Sequence, residues 1–386
     1  MRDDLPLAGT VVVAVEQAVA APLCTRHLAD LGARVIKVER PDGGDFSRSY
    51  DHAVNGLSAY FVWANRSKES VVLDITEERG RRALDELIAT ADVFIHNLAP
   101  ASARKLGIDA ATLSSRHERL VACDISGYGE GGPMSDRKAY DLLLQAEAGF
   151  LSVTGTADDL VKSGISIADI AAGIYAYSSI LAALLRRGRT GTGCAVEVSM
   201  IDALTEWMSM PLYYGHYGGV APRRTGAEHA TIAPYGPFAT SDGQVLLAIQ
   251  NEREWRRLCA EVLGDPAMAD DDRFATNSLR VANRPALHAA MDAVLTELTA
   301  AEVMARLDAA GVAYGQVNAL EDVWDHPQLR ARDRFTTVDS PVGPIEVLRP
   351  PAEPPGGAAF GPVPALGQHT DAVLRELGLL EEADVV

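Results

Sequence analysis

Apolar and polar positions in the first half of the chain follow two alternating periods. GTVVVAVE (9–16) is a β-branched apolar run and predicts a strand. Pro22 then opens a helical pattern, PLCTRHLADLGA, that stops at Gly32. RVIKVER (34–40) predicts the next strand and runs into the turn Pro41-Asp42-Gly43-Gly44. SVVLDI (70–75), DVFIHN (92–97) and RLVACDIS (119–126) repeat the strand signal. Between the first two of these, Thr76 with Glu77 and Glu78 starts a helix through Ala91, its acids in the first turn where the helix dipole favours them. Strands apolar on both faces, separated by helices, predict a parallel sheet covered on both sides.

Two long helical patterns follow, 140–150 and 166–187, then the strand CAVEVSM (194–200) and a helix over 201–215. The segment 216–235 is rich in Gly, Pro and Arg and reads as a linker or loop. From 236 the pattern changes to short strands (GPFATSDGQVLLAI) and helices at 252–264, 283–298 and 300–311, with GVAYGQVN (311–318) as a returning strand. The stretch 349–365 reads as a Pro/Gly-rich surface crossing, and a last helix spans 369–380. The expected fold class is α/β, a Rossmann-like parallel-sheet domain followed by a smaller α+β unit.

Length and composition agree. A chain of 386 residues, 47% hydrophobic and 23% charged, fits two folded domains. The start MRDDLPLAGT carries no signal-peptide pattern, and no run of about 18 uninterrupted apolar residues predicts a transmembrane helix. Cys24, Cys123, Cys194 and Cys259 lie far apart without a CxxC, which speaks against a zinc ribbon or disulfide framework and suits a reducing cytoplasm. A net charge of −18 argues against nucleic acid as a partner. Any anionic ligand must then be drawn by local basic groups. Only five lysines occur, Lys37, Lys68, Lys105, Lys138 and Lys162, so each hints that a compact ammonium is wanted there.

Familiar motifs are missing. The turn after the first strand, Gln17-Ala18-Val19-Ala20-Ala21-Pro22, has no GxGxxG, so dinucleotide binding in the usual manner is not expected. There is no Walker A loop, no GxSxG and no HExxH, and no metal site is expected. One carboxylate stands out. Asp169 lies in SGISIADIAAGIYAY among small and apolar residues. Ser166-x-x-Asp169 also reads as a capping box, and Asp141 in KAYDLLLQ reads as a helix N-cap, so local pattern leaves both a structural and a chemical role open.

The string VAAPLCTRHLADLGARVIKVERPDGGD (19–45) closely resembles the N-terminal signature of the family III coenzyme A transferases, which include formyl-CoA transferase, carnitine CoA-transferases and the α-methylacyl-CoA racemases. The resemblance continues in order through NRSKESVVLD (65–74), IHNLAP (95–100), ISGYGEGGP (125–133), KAYDLLLQAEAG (138–149), the Asp169 segment, RTGTGCAVEVSMIDA (189–203) and PALGQHTDAVLRELGL (364–379). It covers essentially the whole chain.

The resemblance implies that Asp169 is a covalent nucleophile. It places the coenzyme against Val19 and Ala20, Arg40, Leu73 and Thr76, Asn97 and Leu98, Lys105, Lys138 and Met200, with Arg40, Lys105 and Lys138 as the local cations for its phosphates. Tyr140 aligns with an active-site tyrosine, Asp141 follows it, and Ala233-Pro234-Tyr235-Gly236 aligns with the family's mobile active-site loop. That loop is a candidate oxyanion site and equally a simple turn before a strand. Val19 stands where formyl-CoA transferase has glutamine, and Thr76 where it has a basic residue, which argues against formyl or oxalyl chemistry.

The family's racemases pair a histidine with the aspartate. That position is Tyr140 here, which favours transferase over the alternative of a racemase or epimerase. A CoA-binding protein without catalysis is a further alternative, disfavoured by the presence of Asp169. The blocks around 16–51 and 55–70 look most like mesaconyl-, itaconyl- and citramalyl-CoA transferases, so a C4–C5 dicarboxylate is the expected acyl group. Arg48 and Arg223, with Arg224, are the guesses for its second carboxylate. No tightly bound cofactor is implied, since the CoA thioester is a substrate. The expected architecture is a large domain of 1–200 and 325–386, a small domain of 226–320, linkers at 201–225 and 321–325, and two interlocked chains in a cytoplasmic homodimer, with no nucleic-acid or membrane partner.

Overall fold

A computed structural model describes residues 4–353 and 356–380. Residues 1–3 and 381–386, at the ends of the expected large domain, and 354–355, inside the expected crossing, lie outside the described residues. The chain divides into two compact units, Met1–Phe150 with Ser163–Met210 and Leu329–Val386, and Leu151–Lys162 with Pro211–Gln328.

In the first unit the six apolar runs become β1 (Val11–Val15), β2 (Arg34–Glu39), β3 (Lys68–Val72), β4 (Val93–His96), β5 (Val121–Ser126) and β6 (Cys194–Ser199). They form one parallel sheet in the order β3-β2-β1-β4-β5-β6. The order reverses direction between β1 and β4, and the crevice outside the carboxyl ends of strands at such a point is where open α/β sheets bind ligands. β3 sits earlier than the run 70–75 suggests, because Lys68 already pairs with Val35, while Leu73 has left the strand.

Helix α1 (Ala20–Asp30) starts two residues before Pro22, since the first helical turn needs no proline N–H. Ten of its eleven residues are buried, so its polar Thr25, Arg26 and Asp30 must find partners inside the protein. The helix Ile167–Thr190 packs on α1 through small residues, with Ala168, Ala171, Ala172 and Ala176 fully buried. Contact is so close at Gly173 that a Cβ there would come within 2.6 Å of the Ala20 carbonyl oxygen. By length and composition this helix could cross a membrane, with a hydropathy of 1.6 over its most apolar window; here its alanine stripe packs into the core of the first unit.

The second unit holds an antiparallel sheet, β7 (Tyr235–Ala239), β8 (Gln244–Ala248) and β9 (Ala313–Gln316), in the order β7-β8-β9. Helices Arg284–Leu295 and Ala300–Ala310 and the turns after Glu252 close a core around Trp255, Phe274 and Met291. The helix expected over 201–215 forms in two pieces, Met200–Trp207 and Ser209–Gly218, so most of the span given as the linker 201–225 is helical, the second piece restarting just before Pro211, which fits a first turn. Three further features depart from the sequence expectation. Residues 151–162 join the second unit. The crossing 349–365 docks rather than skims, with Val363 buried and Ser67 N–H bonded to the Pro362 carbonyl at 2.8 Å. A hairpin of β10 (Phe335–Val338) and β11 (Ile345–Leu348) carries no sequence forecast.

A buried charge cluster joins the turn after β1, the middle of β2, the loop after β2 and the start of β3. Lys68 Nζ donates to Glu16 Oε1 (2.6 Å), the Pro22 carbonyl (2.9 Å) and Asn65 Oδ1 (2.9 Å). Lys37 Nζ donates to Asp45 Oδ2 (2.7 Å) and stands 3.4 Å from Glu16 Oε1. Thr25 Oγ1 donates to Glu16 Oε2 at 2.7 Å. Removing one ion of a buried group strands the other. Lys68→Met should therefore lower the unfolding free energy by about 3–5 kcal/mol, read as a fall in the denaturant midpoint at unchanged slope. A loss below about 1 kcal/mol, the size of a surface pair, would refute this role.

Candidate active site

Asp169 is the third residue of the helix Ile167–Thr190 and is partly buried. Neither half of the expected capping box forms. Ser166 makes no side-chain cap. Instead Asp141 reaches across from another helix, and its Oδ1 accepts from Ala168 N–H (2.8 Å) and Asp169 N–H (3.3 Å). Asp141 therefore does not cap its own helix, Asp141–Glu147, whose N-cap position is Tyr140. Gln145 locks the arrangement, donating to Asp141 Oδ2 (2.6 Å) and accepting from Ser163 N–H (2.9 Å).

This swap frees the Asp169 side chain. The amides that an aspartate in a first turn would draw are satisfied by Asp141, and among the described residues no donor is bonded to the Asp169 carboxylate. Burial and then the Asp141 charge raise its pKa to about 7. Two tyrosines absent from the sequence expectation belong to the same unit. Burial and the charges of Asp45, Asp169 and Tyr140 push the Tyr50 hydroxyl up, and Tyr60 packs edge-on to Tyr50 at 5.6 Å. Tyr140 is 68% exposed. Tyr50 and Tyr60 carry no local signal as site residues, because an isolated tyrosine in a loop or helix reads as surface or core.

A cavity of ≈320 Å³ opens at the carboxyl ends of β1, β2 and β3 and beside β4. Arg40, Leu73, Thr76 and Leu98 line it, as the resemblance implies, together with the apolar Val15, Val38 and Ile75. The Arg40 guanidinium lies over the Phe46 ring at 4.1 Å and donates through Nε to the Gly44 carbonyl (3.0 Å), which fixes the plane of its outer nitrogens. Lys105, in the helix Pro100–Leu106, and Lys138 are exposed, and neither has an ion-pair partner among the described residues. Val19 and Ala20 are buried at the start of α1, and Met200 is buried in the core beside the sheet.

Several other polar residues singled out in the sequence are engaged within their own unit. Arg48 is not available for a substrate carboxylate: its Nε and Nη2 grip both oxygens of Glu39 at 2.8 Å, and its guanidinium stacks on Phe61 at 3.7 Å. Lys37 and Lys68 are interior ions rather than surface cations. Asn97 gives both ends of its carboxamide to the main chain of Gln17. Tyr235 and Gly236 belong to β7 of the second unit, where Tyr235 stacks on His229 at 5.2 Å and Gly236 pairs with Leu247. Arg223, also of the second unit, is exposed, and Arg224 donates to the carbonyls of Thr156 and Ala157 at 2.6 and 2.8 Å. The loop Ala233–Gly236 does not present a run of free donors. Ala233 N–H donates to Asn277 Oδ1 (3.1 Å), and its carbonyl accepts from Arg280 Nε (2.7 Å).

Known proteins share both the sequence and this architecture. The profile of CoA-transferase family III matches residues 7–370. The succinyl-CoA:glutarate CoA-transferase of Mus musculus is 34% identical over 98% of this chain and 88% of its own length. The succinyl-CoA:mesaconate CoA-transferase of Haloarcula hispanica is 31% identical over 95% of each. The crystal structure of a CAIB/BAIF family protein from Brucella suis superposes with a TM-score of 0.86, at 34% identity, over 97% of this chain and all of that one. The chain belongs to CoA-transferase family III, and it is a transferase.

Proposed function

We propose that this enzyme moves CoA between small dicarboxylates, with Asp169 as the covalent nucleophile. The observation that carries the reading is the Asp169 carboxylate itself: partly buried, free of hydrogen bonds among the described residues, and with its pKa raised to about 7. A carboxylate drawn out of solvent and not held by donors has its charge poorly stabilised, which makes it the stronger nucleophile. The relatives' names, with succinyl-CoA, glutarate and mesaconate, support the substrate class.

An Asp169 oxygen attacks the thioester carbonyl of the donor, the carbon–sulfur bond breaks, and CoA leaves as thiolate. The resulting mixed anhydride is attacked by that thiolate at the Asp169 carbonyl, which expels the donor acid and leaves an aspartyl-CoA thioester. The acceptor carboxylate then repeats the sequence in reverse and carries CoA away, regenerating the aspartate. Each intermediate keeps one partner bound, replacing an encounter between two anions with steps inside one site. The cavity at the sheet's carboxyl ends would take the nucleotide end of CoA, with Arg40, Lys105 and Lys138 for its phosphates. A paired second copy of the chain accords with the helix Ser209–Gly218, which has no buried residue and leaves Tyr217 81% exposed. The domain division expected from the family remains part of this proposal.

Three tests follow from this site. Mixing the enzyme with succinyl-, acetyl-, mesaconyl- or itaconyl-CoA and trapping with hydroxylamine or borohydride should label one peptide, 163–186, by mass spectrometry. An undiminished label in Asp169→Ala would refute the nucleophile, and turnover of the same donors against succinate, glutarate, mesaconate, itaconate and citramalate identifies the acids.

Because Asp169 must be ionised to attack, kcat/KM should fall about tenfold per pH unit below pH about 7. Asp141→Asn, which removes the neighbouring charge yet keeps an amide oxygen for the helix N–H groups, should move that limb to lower pH. A limb already near pH 4 in the wild type would contradict the poise.

The same group acts on stability with a definite sign. Unfolded, it ionises near 3.8; folded, near 7. The fold therefore holds an extra proton between these values. Its contribution to stability is fully present below pH 3.8 and is lost as pH rises through about 7. Asp169→Asn, which cannot ionise, should be more stable than wild type at pH 8 by on the order of 2 kcal/mol, with the gain shrinking toward pH 4 in denaturant titrations.

A further inference from the structure

Three consecutive residues after β1 have their main-chain groups fixed by side chains from elsewhere in the sheet. The Glu16 carbonyl accepts from Lys37 Nζ at 3.3 Å. Gln17 N–H donates to Asn97 Oδ1 at 2.9 Å, and the Gln17 carbonyl accepts from Asn97 Nδ2 at 2.8 Å. Ala18 N–H donates to Asp45 Oδ1 at 2.9 Å. The Asn97 carboxamide behaves as one more rung of the β1–β4 pairing, which ends at Val15 opposite His96.

This clamp holds a strained turn. Ala18 has φ 61°, the left-handed region. A residue with a Cβ gives up roughly 1–2 kcal/mol there, and such a conformation persists only where the surroundings over-determine it. The strain sits where two functions meet. Glu16 and Gln17 line the cavity. Two residues beyond Ala18, the Ala20 carbonyl touches Gly173, which lies one helical turn after Asp169 on the same face. A shift of Gln17 and Ala18 would move the cavity wall relative to the carboxylate.

We infer that Asn97 is a positioning residue: its carboxamide sets the loop 16–18 that aligns a CoA thioester with Asp169, rather than holding the coenzyme. The inference rests on the proposed roles of Asp169 and of the cavity. It departs from the coenzyme contact that the family resemblance assigns to this position, because the Asn97 amide oxygen and one amide hydrogen are already committed to Gln17.

The distinguishing experiment measures kcat and coenzyme affinity separately in wild type, Asn97→Ala and Asn97→Asp. The donor is whichever of the four acyl-CoA thioesters above the wild type turns over, and binding is read by calorimetry with CoA itself. A positioning role predicts a kcat loss of about tenfold to a hundredfold in Asn97→Ala, with CoA affinity changed by less than about threefold. Asn97→Asp, which keeps the acceptor for Gln17 N–H but loses the donor to its carbonyl, should recover part of the loss. Weakened CoA binding with kcat unchanged at saturation, or no loss of either, overturns the inference. Should Asn97→Ala fail to melt cooperatively, Asn97→Asp and Asn97→Ser are judged by the same split. A wild type that turns over no donor and forms no Asp169 adduct would instead remove the functional reading beneath it.

Discussion

Four buried ions, Glu16, Lys37, Asp45 and Lys68, hold together β1, β2, β3 and the loop after β2. Each is at most 2% exposed, and two positive charges stand against two negative ones. Such a group is tolerated only if every member is paired and hydrogen-bonded. Burial lowers the Lys37 pKa less than Asp45, Glu16 and Glu39 raise it, so the ammonium is held charged. Lys68, with fewer compensating charges, is pulled by burial to about 8. Burial would raise Asp45, yet Lys37 and the amides of Ala18 and Ser47 keep it low. Glu16 follows β1, Lys37 lies within β2, Asp45 in the loop after it and Lys68 opens β3, and Thr25 and Pro22 of α1 bond to them. Three neighbouring strands, one loop and one helix therefore share a single set of constraints.

The same cluster resolves the conflict between a net charge of −18 and a polyanionic ligand. Acidic residues line the cavity, among them Glu16, Glu39 and Asp45. These three are neutralised from behind, by Lys37 and Lys68 and by the Arg48 grip on Glu39. The cations proposed for the phosphates, Lys105 and Lys138 with the outer nitrogens of Arg40, would then act without buried carboxylates opposing them at short range. In this cluster the compact ammonium groups of Lys37 and Lys68 fill the interior nodes, and the planar guanidinium of Arg48 takes the bidentate carboxylate.

The sheet was legible because burial on both faces writes near-continuous apolar runs into β1 to β6, and each needs only its own residues to announce itself. The role proposed for Asp169 comes from ordered blocks spread along the chain; its immediate neighbours spelled a helix cap. That local reading failed for a physical reason. The cap comes from Asp141, 28 residues earlier, and no window around Ser166 contains it. Arg48 was read as a guess for a substrate carboxylate, Asn97 as a coenzyme contact from the resemblance, and Lys37 only as a place for an ammonium, whereas their partners, Glu39, Gln17 and Asp45, are brought to them by the fold from other parts of the chain. The hairpin β10–β11 is short, partly exposed and weakly patterned, so tertiary packing against Phe61 and Val62 defines it.

Asp141 and the buried ions serve one principle from opposite sides. The interior carboxylates Glu16, Glu39 and Asp45 are surrounded by donors and fixed as charges, which makes them inert scaffolding. Asp169 is denied that treatment. Its helix amides go to Asp141, whose negative charge also discourages its ionisation, while burial adds to the effect. A fold that satisfies nearly every polar group around one carboxylate, and leaves that carboxylate without a donor, has concentrated its unfavourable electrostatics at a single atom pair. In the proposed mechanism, attack on a thioester would relieve that strain, because the carboxylate becomes a neutral anhydride and the negative charge departs with the CoA thiolate. Charge that is already leaving Asp169 in the transition state would lower the barrier to attack.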